Sequence, residues 1–418
     1  MKELKRVVVT GLGAVTPLGN DVETFWGNII KGKSGAAEIT KFDASKFKTR
    51  FACEVKDFDT DKYFDKKEAR KMDLVAHYSI AAADEAIKHA GLDLDKINKE
   101  RVGVIWGSGN GGITTFHQQV VEFALGDGTP KFNPFMVPKM IVDISSGLIA
   151  IRYGFMGVNF CPVSACATST SAIIEAYDNI RLGKADIIIS GGSEAPIVES
   201  GVGGFSALKA LSTRNDDCLT ASRPYDVDRD GFVIGEGAGA LVLEELEHAK
   251  ARGAVILAEV IGGAMSADAY HMTAIHPDGY GAYLAMRNAL DDAGIKPNQI
   301  DYINTHGTST PGGDIGELKA IKKLWSDDTQ NTSISSTKSM TGHLLGAAGA
   351  AEAIIAIKAM NESIVPPTIN TVNLDPAIPE GLNITLKTTP KNIDIAMSNT
   401  FGFGGHNAIV LFKKWKEA

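Results

Sequence analysis

The stretch VSACATSTSAIIEAYDNI, residues 163–180, reads as the end of a strand, a tight turn of small residues and a helix. Asn159–Ser164 supplies the strand and Thr168–Ile180 the helix, which leaves Cys166 on the turn between them. Outward from this unit, other β-branched runs end in Gly or Ser clusters: RVVVTGLG (6–13), VGVIWGSGNGG (102–112) and ADIIISGGSEA (185–195). Each has the look of a strand buried on both faces with a glycine-rich turn at its carboxyl end. Between them, residues 67–91 place Met72, Val75, Ala83, Ala86 and Ile87 on one helical face and stop at Gly91, a C′ position. Alternating strands and helices predict an α/β fold with a largely parallel sheet. STKSMTGHLLGAAGAAEAIIAIKAM (336–360) repeats the strand-end, small-residue turn and helix of 163–180. No Pro/Ser-rich linker interrupts the chain, so two similar halves meeting near residue 250 are expected.

Composition narrows the function classes. The 418 residues are 44% hydrophobic and 22% charged, ordinary globular usage that argues against disorder. No apolar run approaches the ~18 residues of a spanning helix. A net charge of −8 argues against a nucleic-acid binder. Cysteines 53, 161, 166 and 218 are too sparse for a disulfide scaffold and lack metal-ligand spacing, which points to a reducing, cytoplasmic setting. Glycine is the outlier, 44 of 418 residues, so many backbone positions need tight turns or close approach.

Two motifs mislead. Gly27–Ser34 matches the phosphate-loop pattern letter for letter, but Val22, Phe25, Trp26, Ile29 and Ile30 have helical spacing and put Gly27 inside a helix. Asp226-x-Asp228-x-Asp230-Gly231 resembles the opening of a calcium loop, yet its twelfth position is Gly237 rather than Glu. It reads as a polar turn before a strand, Gly237–Leu243.

Cys166 sits where a helix amino terminus lowers a thiol pKa and backbone amides converge on an oxyanion. Position alone equally suits a small buried core residue. His306, in INTHGTSTPGGD (303–314), and His343, in TKSMTGHLLGAAG (337–349), occupy similar strand-end or pre-helix settings. A cysteine with histidines elsewhere in the chain is compatible with several thiol chemistries, hydrolysis included.

In combination these residues resemble the elongating β-ketoacyl-acyl carrier protein synthases, closest to the second class, within the thiolase-fold condensing enzymes. The resemblance runs from VVVTGLGAVTPLGN (7–20) to FGFGGHNA (401–408). It is carried by SACATS (164–169), DRDGFVIGEGAGALVLEE (228–245), ADAYHMT (267–273), NTHGTSTPGGD (304–314), STKSMTGHLLGAAGAAEA (336–353) and FGFGGHN (401–407) in order. It implies a thiolase-like fold of duplicated βαβαβ-type halves, 1–250 and 251–418, in a layered α/β/α/β/α core. It implies a homodimer acting on acyl and malonyl groups borne on acyl carrier protein, in type II fatty-acid elongation. Cys166 would be the nucleophile, completed by His306 and His343 and supported by a Lys338–Glu352 ion pair. Phe403 would gate the acyl pocket and share the oxyanion hole with Cys166. Thr308 and Thr310 would hold the pantetheine arm, and Asp268 would move with the gate. No metal or separate cofactor is implied, since the substrates carry phosphopantetheine.

Departures from the family pattern concern specificity. SACATS stands for the more usual TACTS, and His406 stands where Thr is frequent. Asn110 lies where fatty-acid enzymes usually place an apolar residue at the pocket floor, so a shortened or polar pocket is expected. A ketosynthase of a polyketide or aryl-polyene pathway is the enzymatic alternative. A non-catalytic chain-length-determining partner subunit is the other, and intact Cys166, His306 and His343 argue against it. For the acidic carrier the resemblance implies docking at Lys67, Arg70, Lys71, Lys131 and Lys209, with Pro130 where a base is common.

Overall fold

The computed structural model describes residues 4–326 and 329–416. Among them, eleven strands form one sheet in the order Asn383–Ile384, Ser333–Ser335, Tyr302–Asn304, Ile395–Gly402, His406–Lys414, Ala258–Ala267, Val7–Val15, Gly237–Glu245, Ile187–Glu194, Val102–Gly107, Asn159–Phe160. The centre is a short antiparallel ladder of Val7–Val9 against Ala258–Val260. Each wing then repeats the same pattern. Val7–Val15 and Ala258–Ala267 pair antiparallel with Gly237–Glu245 and His406–Lys414 respectively. Those pair antiparallel with Ile187–Glu194 and Ile395–Gly402. Parallel strands Val102–Gly107 and Tyr302–Asn304 follow. The sheet is therefore mixed rather than largely parallel: only its outer strands follow crossover logic, while the inner ones return antiparallel.

The helices make the layers. Leu74–His89 packs on the first wing, and Tyr280–Ala293 covers the second. Between the wings lie Thr168–Arg181 and Ala348–Glu362, packed on each other and on strands of both wings. Both are buried nearly all round, which explains their small-residue composition. The Ala350 N–H donates to Ser169 Oγ at 2.9 Å across this contact. These are the helices of 163–180 and 336–360, and each follows a one-turn 3₁₀ segment, Ala165–Ala167 or Leu345–Ala347.

Several sequence expectations change. The first strand does not stop at its glycines but runs through Gly11 and Gly13 to Val15. A Cβ on Gly11 would stand 2.2 Å from the Ala86 carbonyl oxygen, and one on Gly13 2.0 Å from that of Ala82. Here glycine serves the close approach of a helix to a strand, not a turn. Ile187–Glu194 likewise continues through its Gly-Gly pair. The strand expected over Asn159–Ser164 is only Asn159–Phe160, because the chain then leaves the sheet edge for the Cys166 turn.

The helix expected over 67–91 is two: Lys66–Ala69, and Leu74–His89 capped by the Asp73 carboxylate on Val75 N–H. Asp73 is buried and also accepts from Thr115, so it fixes a fresh start rather than continuing the first helix. Val22–Ile30 is a helix containing Gly27, so the phosphate-loop letters do not form a phosphate loop. Asp226 spends its carboxylate on the N–H groups of Asp228, Val372 and Asn373, the polar turn expected before a strand.

Candidate active site

Cys166 is 8% exposed at the centre of the Ala165–Ala167 turn. Ala165 has φ of 50°, the left-handed region that few non-glycine residues adopt, which gives this elbow its sharpness. The strand Ile395–Gly402 ends against it. A Cβ on Gly402 would lie 2.4 Å from the Ser164 carbonyl oxygen and 3.1 Å from Cys166 N, so only glycine allows this approach. The next residue, Phe403, directs its backbone N–H at the Cys166 sulfur, and the N–H of Cys166 itself does the same. Two amides thus flank the sulfur, beside which the carbonyl oxygen of an acyl group on Cys166 would lie.

His306 follows the strand Tyr302–Asn304. Its N–H and that of Gly307 each donate at 2.9 Å to Glu317, a buried carboxylate that also accepts from Asn399 Nδ2. His343 follows Gly342, which has φ of 66°. It is pinned by its N–H to the Val233 carbonyl at 2.7 Å and by the Gly235 N–H to its own carbonyl. The two imidazoles meet edge to face with centroids 5.2 Å apart, and Phe232 packs edge to face on His343. The buried Nδ1 of each ring has no hydrogen-bond partner among the described residues. Behind them Lys338 and Glu352 form a buried ion pair.

Electrostatics assign charge states. Burial and the nearby Lys338 hold both histidines well below their ordinary pKa, so each is neutral and carries a single N–H. Burial pushes the Cys166 thiol up to about 12, against the downward pull of Lys338 and of the two amides. Loss of water is the largest influence on this thiol, ahead of the neighbouring charges and the two amides. Burial pushes Glu317 up to about 7.

Cys166, His306, His343, Thr308, Thr310, Phe403, Asp268 and Lys209 all line one cavity of about 750 Å³. Thr308 and Thr310 hydroxyls lie 3.0 Å apart near its mouth. Their loop is held by Arg229, which donates to the carbonyls of Thr310 and Pro311. Asp268 joins two loops: its N–H donates to the Gly405 carbonyl, and its carboxylate accepts from Asn407 Nδ2 and His276 N–H. Phe403 stands against Phe205, with centroids 6.4 Å apart.

Other expected residues lie elsewhere. Asn110 does not line this cavity in the single chain; its Nδ2 donates to Glu194 at 2.9 Å. Lys67, Arg70, Lys71 and Lys131 are exposed. Lys71 borders a separate cavity of about 380 Å³, with its ammonium over the Phe135 ring. Lys67, Arg70 and Lys71 stand on and just after the short helix Lys66–Ala69, while the long helix begins at Leu74 with an acidic cap. Glu317, Arg229 and Glu194 went unnoticed in the sequence. The one local signal was the pair of acids, Asp314 and Glu317, on the otherwise apolar inner face of Pro311–Trp325.

Among the described residues no cluster of three or more His, Cys, Asp or Glu could hold a metal ion, and no helix is long and apolar enough to cross a membrane.

Comparison with known proteins agrees with this geometry. The chain matches the family "Beta-ketoacyl synthase, N-terminal domain" over residues 4–249 and "Beta-ketoacyl synthase, C-terminal domain" over 257–372. It is 48% identical to "3-oxoacyl-[acyl-carrier-protein] synthase 2" of Synechocystis sp., over 99% of both chains. A beta-ketoacyl synthase structure from Burkholderia phymatum superposes with a TM-score of 0.92 at 35% identity, covering 99% of this chain and all of the other. A ketosynthase in complex with a type II polyketide acyl-carrier protein does so at 0.89 and 33%, with the same coverage. The chain belongs to the beta-ketoacyl synthase family, in its branch of 3-oxoacyl-acyl carrier protein synthases of the second class.

Proposed function

We propose that Cys166 carries the acyl group and that His306 and His343 manage the malonyl group in a decarboxylative Claisen condensation. The reaction elongates fatty acids on acyl carrier protein. The observation that carries the assignment is one nucleophile facing two neutral histidines and two convergent amides in a single cleft.

Cys166 is a thiol at neutral pH, so attack on the acyl thioester and loss of its proton go together. The proton ends on the departing pantetheine thiolate. Amides of Cys166 and Phe403 stabilise the tetrahedral oxyanion. Malonyl-carrier then enters past Thr308 and Thr310. Breaking its C–CO₂ bond leaves an enolate, whose oxygen accepts the single N–H of each neutral imidazole. The enolate carbon attacks the acyl-Cys carbonyl, and collapse expels the Cys166 thiolate, which takes one proton from solvent as CO₂ leaves. The product is 3-oxoacyl-carrier, two carbons longer. Lys338 and Glu352 support by position: the cation keeps both imidazoles unprotonated, and the anion holds the cation.

The carrier meets the cleft at Lys209, and Lys67, Arg70, Lys71 and Lys131 supply further cations for an acidic partner. Asn110, which does not line the cavity of its own chain, polarises the far end of the acyl pocket of the partner copy in a homodimer. The exposed edge strand Asn159–Phe160, flanked by exposed Ile151, Met156 and Val163, suits a second copy of the chain and hence a homodimer. The halves divide near residue 250, between the two repeating wings. A cytoplasmic setting keeps the four free cysteines reduced. Identity of 48% to the 3-oxoacyl-acyl carrier protein synthase 2 of Synechocystis sp., against 33% to the polyketide ketosynthase, favours primary elongation.

Incubation with malonyl-carrier and a panel of acyl-carriers, read by product mass, tests the reading. Products heavier by a two-carbon 3-oxo unit are expected. Free acid without extension would refute condensation.

A further inference from the structure

The repeating wings allow one half of the site to be compared with the other. The turns Ala165–Ala167 and Leu345–Ala347 share a left-handed first residue, with φ of 50° at both Ala165 and Leu345. Ile187–Glu194 and Ile395–Gly402 are matching eight-residue strands with matching neighbours. Gly346 is thus the counterpart of Cys166, and Glu194 that of Gly402.

Each strand end abuts the turn of the opposite half. At Gly402 the missing side chain leaves the amide cradle at Cys166 open. At the matching place a side chain fills it. The Glu194 carboxylate is fully buried and accepts from the Gly109 N–H and from Asn110 Nδ2, and the backbone N–H groups of Asn110 and Gly346 also favour its charge. No cation pairs with it among the described residues, and burial pushes its pKa up to about 7 against the pull of the backbone and amide dipoles around it. A Cβ on Gly109 would lie 3.6 Å from the Ala165 carbonyl oxygen, and Leu345 shares an apolar cluster with Cys166.

We propose that Glu194 is a positioning residue: its carboxylate is the fixed occupant of a closed anion cradle, the counterpart of the open one, and it pins the 108–110 loop and the Leu345–Ala347 turn against Cys166. That this loop borders the acyl tail rests on the reading above; the pinning itself does not. Glutamine, of the same shape, cannot substitute, because its NH₂ would face N–H donors and find no acceptor. The negative charge near the sulfur also helps to keep the thiol protonated.

Glu194→Gln and Glu194→Ala in the full chain test this. Two rates at Cys166 are measured by intact mass: acylation from short and long acyl-carriers, and alkylation by iodoacetamide. Acylation should fall about tenfold or more in both variants, with an altered length profile, as expected for a displaced near-attack geometry. Alkylation should rise, because the carboxylate that disfavours the thiolate is gone. Sodium formate should bring both rates of the Ala variant back toward wild type and leave the wild type unmoved, while propionate, too long for the cradle, should not. A Gln variant with wild-type rates and length profile overturns the proposal, even if the Ala variant does not fold. So does an Ala variant whose altered rates ignore formate. Alkylation needs no acyl substrate, so it judges the proposal even if the condensation reading fails.

Discussion

Gly402→Ala isolates the oxyanion hole from the rest of the machinery. The added Cβ would stand 2.4 Å from the Ser164 carbonyl oxygen, whereas ordinary contact begins at 3.4 Å. Neither atom is the end of a flexible side chain, so two backbone segments must part by about 1 Å, the difference of those distances. The Phe403 N–H is one residue further along and moves with them. A displacement of ~1 Å in a reacting geometry costs on the order of 10²-fold. Loss of one oxyanion donor costs ~10²–10³-fold, about 2.7–4 kcal/mol. Both estimates place the variant near one hundredth of the wild-type acylation rate. The assay is single-turnover transfer from acyl-carrier to Cys166, followed by quenched-flow mass measurement. Iodoacetamide alkylation of Cys166 is the internal control, because displacement at an alkyl iodide develops no oxyanion. Acylation should fall while alkylation holds. If both fall together, the turn itself has collapsed. If acylation stays within about threefold, less than 1 kcal/mol, the amides at Cys166 do not form the hole.

Lys338→Met leaves Glu352 buried without its cation and should cost about 3–5 kcal/mol in urea unfolding, with Lys338→Met/Glu352→Leu recovering much of it; equal stability of single and double variants would contradict a buried pair. His306 and His343 have depressed pKa values when folded and titrate near 6.5 when unfolded. Their stabilising contribution is therefore complete above that pH and declines as pH falls below it, where the unfolded chain binds more protons. Glu194 and Glu317, raised to about 7, act with the opposite sign over that range, so the difference between wild type and His306→Asn/His343→Asn carries the histidine part. A wild-type fall between pH ~7 and ~5.5 no steeper than that of the double variant would sink it. Lys67→Glu/Arg70→Glu should weaken carrier binding, chiefly through a slower and less salt-dependent association; affinity unmoved by charge reversal and by salt removes these residues from the docking face. Asn110→Ile should alter the profile of accepted acyl-chain lengths, and an unchanged profile excludes Asn110 from the pocket.

Much of the architecture was readable because it is written locally. Periodicity around 163–180 and 336–360 marks two strand-turn-helix units, and the motifs in order mark the family. The reading faltered where a residue's role depends on what another segment brings to it. Gly11 and Gly13 looked like a turn, and only the helix Leu74–His89 lying on that strand shows that they make room. Residues 67–91 looked like one helix, and Asp73 breaks it by bonding both Val75 and Thr115, forty-two residues away. Antiparallel inner strands were hidden because hydrophobic runs buried on both faces look alike in either direction.

For the site, residue type and turn position marked Cys166, His306 and His343 as candidates, and the family motifs around them assigned the roles, since chemistry and backbone punctuation are both properties of the chain itself. Their protonation states are not. Burial, which sums over neighbours from distant segments, drives the thiol up and the imidazoles down; Lys338, from the half of the chain that lacks Cys166, pulls all three down. The same holds for Glu194 and Glu317, carboxylates whose partners lie on other segments of the chain. The sequence by itself determined which groups can react and in what kind of turn they stand. The tertiary structure alone decided which are charged, which face one another, and which cradle is left open for the substrate.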